Sequence, residues 1–95
     1  MFKVNQNKFM FPSTEDFKKI ITIVLRTTQA YNPDEVLRIL SAKEIHSFIG
    51  GYPGANHRIP NCCNAMRQLM IDGDEIVESP QDGANFMIKY KLPRF

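Results

Sequence analysis

Residues 41–51, Ser-Ala-Lys-Glu-Ile-His-Ser-Phe-Ile-Gly-Gly, carry the start and stop signals of a short helix. Ser41 and Glu44 have the spacing of a capping box, in which each side chain bonds a backbone N–H left open at the helix start. Three apolar residues then fall on one face, and the two glycines end the helix. The stretch therefore predicts a helix over residues 42–49 with one buried face.

Two longer helices are predicted on either side of this one. Residues 14–31 place apolar side chains at i, i+3, i+4 and i+7, and Asn32-Pro33 ends the pattern. Residues 59–72 have a proline in the first turn and apolar residues at 62, 66 and 69. We expect that helix to end at Asp72-Gly73 and to bury its apolar stripe.

The remaining residues predict strands. Residues 75–92 have the pattern of a β-hairpin with a turn-rich tip at 79–84, and its second arm alternates apolar and polar side chains from Phe86 to Leu92. A short extra strand is indicated near residues 38–40. The sequence thus predicts an α+β fold in one domain over residues 13–95, preceded by an N-terminal arm at residues 1–12.

Composition limits the classes of protein to consider. The chain has 95 residues, of which 43% are hydrophobic, enough for one core. No apolar run approaches the ~20 residues of a membrane span, and residues 1–8 lack the apolar core of a secretion signal. The adjacent cysteines Cys62 and Cys63 are poorly placed to bridge each other, so a reducing compartment is favoured. We expect a cytoplasmic protein.

Charge is segregated along the chain although the net charge is only +2. Residues 71–82 carry five acidic side chains and no basic one, whereas residues 83–95 carry three basic side chains and no acidic one. Such segregation can produce an electrostatic field on one face of the protein. The acidic stretch is either a solvated turn region or a surface that avoids DNA or binds a basic partner.

The order helix, short strand, helix, helix, hairpin resembles the winged helix-turn-helix family. The resemblance rests on Leu40-Ser-Ala-Lys-Glu-Ile45, on Ile59-Pro-Asn-Cys-Cys-Asn-Ala-Met-Arg-Gln-Leu-Met-Ile-Asp-Gly73 and on Phe86-Met-Ile-Lys-Tyr-Lys-Leu92. It implies three helices followed by a two-stranded hairpin, the wing. In this family the third helix enters the major groove of DNA.

The resemblance also implies which residues contact DNA. The third helix would present amide and guanidinium groups suited to base edges, and the two residues just before it would reach a phosphate or a base. Residues at the second helix start and on the wing, and Arg94 after the wing, would contact phosphate. The implied residues are Ser41, Lys43, His57, Arg58, Asn61, Asn64, Arg67, Gln68, Lys89 and Lys91. The wing lysines equally suit an edge strand, where lysine discourages aggregation.

We therefore expect a sequence-specific or semi-specific protein for double-stranded DNA, a small transcription regulator or a phage or plasmid accessory factor. A homodimer is expected, through the first helix or through Phe2, Phe9 and Phe11 of the arm. The alternative is a winged helix that contacts a protein instead of DNA. His57, Cys62 and Cys63 match no zinc spacing, and Cys63 is expected to be half-exposed. No enzyme activity, metal or other cofactor is predicted.

Overall fold

A computed structural model of the chain describes residues 12–50, 58–78 and 83–95. In these ranges three helices and three strands follow one another, which makes the fold α+β. They are α1 (Thr14–Tyr31), β1 (Leu37–Ser41), α2 (Ala42–Ile49), α3 (Ile59–Gln68), β2 (Glu75–Glu78) and β3 (Met87–Lys91). The expected N-terminal arm lies outside the described residues except for Pro12, which is buried.

Helix α1 has the predicted bounds and is capped by Ser13. The Ser13 hydroxyl accepts a hydrogen bond from the Asp16 backbone N–H at 3.2 Å, and the Asp16 carboxylate accepts from the Ser13 N–H at 2.9 Å. Both residues thus satisfy N–H groups that have no partner within the helix. Phe17, Ile21 and Leu25 form its buried stripe.

Helix α2 also has the predicted bounds, but its cap differs from the expected capping box. The Ser41 hydroxyl accepts from the Glu44 N–H at 3.2 Å, as expected. The Glu44 carboxylate instead forms an ion pair with Arg38 at 3.1 Å, because β1 brings that guanidinium alongside the first turn of the helix. Gly50 ends the helix at φ +94°, a conformation that favours glycine.

Helix α3 ends at Gln68, so the prediction that it continues to residue 72 is wrong. Two backbone groups beyond its end bond to the side chains of Asp74 and Arg94. The Asp74 carboxylate accepts from the Ile71 N–H at 2.8 Å, and the Arg94 guanidinium donates to the Leu69 carbonyl at 2.9 Å. These bonds satisfy the groups that another helical turn would have used.

The strands form one antiparallel sheet in the order β1-β3-β2. The extra strand expected near residues 38–40 is confirmed as β1, with Ile39 paired to Lys89 and Leu40 to Ile88. This pairing makes β3 the middle strand. An edge position for its lysines is therefore excluded. Strand β2 pairs on the other side of β3, with a register irregularity between Ile76 and Glu78.

The alternation predicted for the second hairpin arm is confirmed. One face of β3 and its flanks is buried in the core with residues of all three helices, and the other face carries Met87, Lys89 and Lys91. The buried residues of this arm are Phe86, Ile88, Tyr90 and Leu92. No helix among the described residues is both long and apolar enough to cross a membrane.

The residues after β3 are held against the rest of the fold by an enclosed ion pair. The Arg94 guanidinium and the Asp74 carboxylate lie 2.9 Å apart, and 6% and 0% of the two side-chain surfaces are exposed. Asp74 also accepts from the Lys91 N–H at 2.7 Å. Arg94, which the sequence suggested as a DNA phosphate contact, is thus used within the fold.

Candidate nucleic-acid interface

Helix α3 buries one face and exposes the other. Cys62, Cys63, Ala65 and Met66 are fully buried, whereas Asn64 and Gln68 are exposed on successive turns. Arg67 lies between these extremes and is half-buried. The outward face of α3 therefore presents two amide side chains, each with a donor and an acceptor.

A buried histidine fixes the start of α3. Nε2 of His46, from α2, accepts a hydrogen bond from the Arg58 N–H at 2.9 Å, one residue before the helix begins. The His46 ring packs on Phe17 of α1, with ring centroids 5.0 Å apart. One side chain thus contacts two helices and sets where the third begins.

The other end of α3 is tied to the sheet by Tyr90. Its hydroxyl donates to the Met66 carbonyl at 2.9 Å. Burial, followed by the nearby Asp74 charge, raises the pKa of the Tyr90 phenol. The phenol stays protonated at neutral pH and remains the donor in this bond.

The base of the β2–β3 loop joins α2 and α3 into one surface. The first two backbone N–H groups of α2, from Ala42 and Lys43, donate to the carbonyls of Phe86 at 2.9 Å and Ala84 at 3.0 Å. The Arg67 guanidinium lies 4.6 Å from the centroid of the Phe86 ring. The start of α2 and the outward side of α3 therefore meet at residues 83–86.

Four of the predicted DNA contacts belong to the helices that meet here. Lys43 is exposed at the α2 start, and Asn64, Arg67 and Gln68 follow on α3. Arg67 also donates to the Asn64 side-chain oxygen at 3.4 Å. It was expected to face solvent, but its stacking on Phe86 covers part of it.

Other residues that were predicted to contact DNA bond to neighbouring parts of the fold instead. Ser41 is buried, and its hydroxyl caps α2. The Asn61 amide points toward α1 and donates to the Thr14 hydroxyl at 3.5 Å, so its expected outward orientation is wrong. Arg58 is half-buried at the α3 start. His57 lies outside the described residues.

Lys89 and Lys91 are separated from this surface. Both lie on the sheet face opposite the buried side chains, and Lys89 forms an ion pair with Glu75 at 2.9 Å. The intervening Tyr90 points to the other face and contacts α3. The strand alternation that the sequence correctly predicted is what directs the two lysines away.

Two features of the surface were missed at the level of sequence. Phe86 was identified as an apolar strand residue, but its ring also forms a platform for Arg67. Asn85, beside it, is exposed at the same loop base. The loop base is brought beside α2 and α3 by the hydrogen bonds from the start of α2 to the Ala84 and Phe86 carbonyls and by the stacking of Arg67 on Phe86, and no local pattern signals these contacts.

The two cysteines are packing residues in this structure. Both are fully buried, so the expectation that Cys63 is half-exposed is wrong. The Cys63 thiol lies 3.6 Å from the Gly83 carbonyl, which draws it into the loop base. Burial, with a smaller effect of Cys63, raises the pKa of the Cys62 thiol. The described residues contain no cluster of three or more His, Cys, Asp or Glu side chains suited to a metal.

Comparison of the chain with protein-family models, with curated proteins and with solved structures found no match in any of the three.

Proposed function

We propose that this protein is a winged helix that binds double-stranded DNA, with α3 in the major groove. The order α1-β1-α2-α3-β2-β3 supports the proposal, because a short second helix, a third helix and a hairpin follow one another as in that family. The hairpin of β2 and β3 is the wing. A regulator of transcription or a phage or plasmid accessory factor, acting in the cytoplasm, is the corresponding role.

The observation that carries the proposal is the meeting of α2, α3 and the wing base around Phe86. Asn64 and Gln68 offer donor and acceptor groups of the kind that read adenine in the major groove. Lys43 stands at the edge of this surface, where its ammonium can neutralise a phosphate. Lys89 and Lys91 take no part in the proposed interface, because they lie on the far face of the sheet.

Two matched lysine variants test the proposal. Affinity for a fluorescent random-sequence duplex is measured by anisotropy between about 50 mM and about 200 mM salt. Lys43→Ala should weaken binding evenly across sequences and make the slope of log K against log salt shallower by about one. Lys91→Ala removes the same charge from the opposite face and should leave the slope unchanged.

The outcomes separate DNA binding from its alternative. If the wild-type protein binds no duplex at low salt, the DNA proposal fails and a protein-binding winged helix becomes the better account. If Lys91→Ala changes the slope and Lys43→Ala does not, DNA binding stands but the interface lies on the sheet face.

Asn64 tests base recognition as distinct from phosphate contact. Asn64→Ala should cost about 1–3 kcal/mol of binding free energy on a selected site and relax the preference at one base position. Selection from a random duplex library, repeated with the variant, measures both effects. Asn32→Ala, at the C-terminal end of α1, serves as the control for removal of an exposed amide outside the proposed interface. An unchanged preference in Asn64→Ala would contradict a reading role for this residue.

A further inference from the structure

Arg67 on α3 is held in place by contacts within the fold. Its guanidinium lies 4.6 Å from the centroid of the Phe86 ring, which is buried. The backbone of Phe86 is itself fixed, because its carbonyl accepts from the Ala42 N–H at 2.9 Å. Stacking on a buried ring suits the planar guanidinium and restricts the directions in which its N–H groups point. One of those groups donates to Oδ1 of Asn64, three residues earlier on the helix, at 3.4 Å.

The contact with Arg67 determines which end of the Asn64 amide is left for a ligand. A guanidinium only donates hydrogen bonds, so the Asn64 atom next to it is the oxygen and not the nitrogen. The nitrogen, Nδ2, bonds to none of the described residues. Asn64 is exposed on the outward face of α3. Its side chain therefore presents two N–H donors to whatever meets that face.

The major-groove edges of the bases differ in how well they match such a pair of donors. Guanine presents two neighbouring acceptors, N7 and O6, whereas adenine presents one acceptor and one donor. An unrestricted asparagine pairs with adenine, because its oxygen accepts from N6 while its nitrogen donates to N7. A guanidinium against Oδ1 opposes that pairing, since its positive charge and its N–H groups face the incoming N6 donor. A single nitrogen with several N–H groups suits guanine, as the lysine ammonium does.

We propose that Arg67 is a positioning residue that makes Asn64 select guanine over adenine at the base pair it faces. This inference rests on the proposed function, since it specifies the base that one side chain of α3 prefers. Arg67 acts through Asn64 and needs no contact of its own with DNA. The direct contact that the family resemblance implies for Arg67 is the competing account.

Selection from a random duplex library tests the preferred base. At the position whose preference Asn64→Ala relaxes, the wild-type protein should favour guanine over adenine by about fivefold or more. Arg67→Met removes the donor but keeps an unbranched side chain beside the Phe86 ring, so the variant should fold and lose this preference. Lys91→Met removes a charge from the opposite face of the sheet and should leave the preference unchanged.

Asn64→Asp reverses the hydrogen-bonding polarity of the same side chain. A carboxylate offers acceptors only, so the preferred base should change from guanine to cytosine, whose N4 is a donor. Selection of adenine by the wild-type protein at this position overturns the proposal. If Arg67→Met weakens binding to all sequences equally and keeps the guanine preference, Arg67 is a phosphate contact and the proposal is equally overturned.

A measurement without DNA separates this inference from the proposed function. Nitrogen relaxation of the side-chain amides, measured by NMR on the free protein, should show Nδ2 of Asn64 more ordered than the amide of Gln68. In Arg67→Met the order of Asn64 should fall to that of Gln68. Equal order of Asn64 in both proteins overturns the positioning role even where duplex binding is found. Failure of the wild-type protein to bind any duplex overturns the base preference together with the proposed function, and the relaxation data then show whether Arg67 still holds Asn64.

Discussion

The Asp74 carboxylate accepts hydrogen bonds from three donors, the Arg94 guanidinium and the backbone N–H groups of Ile71 and Lys91. Removing its carboxylate leaves the enclosed Arg94 charge without its ion-pair partner. We expect Asp74→Ala to lower the free energy of unfolding by about 3 kcal/mol or more, measured by urea denaturation. Asp72→Ala, at an exposed acid two residues away, should stay within about 0.5 kcal/mol. Equal effects of the two would mean that the ion pair contributes nothing.

The same carboxylate predicts the acid sensitivity of the fold. Burial alone would raise the pKa of Asp74, but the hydrogen bonds from Arg94, Lys91 and Ile71 outweigh it and lower the pKa. In the unfolded chain the pKa of an aspartate is about 3.9. Its contribution to stability is therefore complete above that pH and is lost as the pH falls toward the lower folded-state value.

Unfolding by urea at a series of pH values from neutral to acid checks this linkage. The wild-type protein should lose stability below about pH 4 more steeply than Asp74→Asn, because the variant has no proton to take up at this position. Parallel curves for the two proteins would show that Asp74 does not carry the acid dependence.

Residues whose conformation depends on near neighbours in sequence could be predicted, and others could not. Gly50 was expected to end α2 from its place after the helical stripe, and it does so at a positive φ. Arg94 and Asp74 are twenty residues apart, and nothing local distinguishes them from solvated charges. Asn61 illustrates the same limit, because only the approach of α1 turns its amide inward.

Between elements, His46 connects α2 to the start of α3. In His46→Leu the Arg58 N–H loses its acceptor in a half-buried position, which should cost about 1–3 kcal/mol of stability. Duplex affinity should fall with it, because the start of α3 is then no longer fixed against α2. Ser47→Ala, on the exposed side of the same helix, is the control. Unchanged stability in His46→Leu would remove His46 from the positioning of α3.

The elements themselves follow from periodicity more reliably than their ends and neighbours do. Capping residues and apolar spacing predicted α1 and α2 with the observed bounds, and alternation predicted the buried face of β3. Past the early end of α3, Asp74 and Arg94 bond the backbone of Ile71 and Leu69, and Arg94 reaches it from twenty-five residues later in the chain. The middle position of β3 depends on pairing with β1, nearly fifty residues earlier.

At the scale of the whole molecule, the sequence predicted which residue types line the candidate site, but it predicted only some of their positions on the surface. The amides of α3 and Lys43 could be chosen from helix geometry once the element order was known. Lys89 and Lys91 were chosen for their charge, yet charge does not indicate on which side of a sheet a residue lies. The surface around Phe86 needs α2, α3 and the wing base together, so it exists only in the folded chain.

Two glutamines allow stability and binding to be separated in the intact protein. The Gln29 side chain holds residues 94 and 95 to α1. It accepts from the N–H groups of Arg94 at 2.8 Å and Phe95 at 3.2 Å and donates to the Phe95 carbonyl at 2.9 Å. Gln68 is exposed on α3, within the proposed interface. Gln29→Ala should lower stability by about 1 kcal/mol, because these bonds are partly exposed, and leave duplex affinity per folded molecule unchanged.

Gln68→Ala should show the reverse. Its stability should stay within about 0.5 kcal/mol of the wild type, because the side chain is exposed on the helix surface. Its affinity for a selected duplex should fall by about 1–3 kcal/mol, since the amide no longer reaches a base edge. Thermal melts and anisotropy titrations on the same preparations measure both quantities. If Gln68→Ala melts lower and binds normally, the outward face of α3 serves the fold and the DNA surface must be sought elsewhere on the molecule.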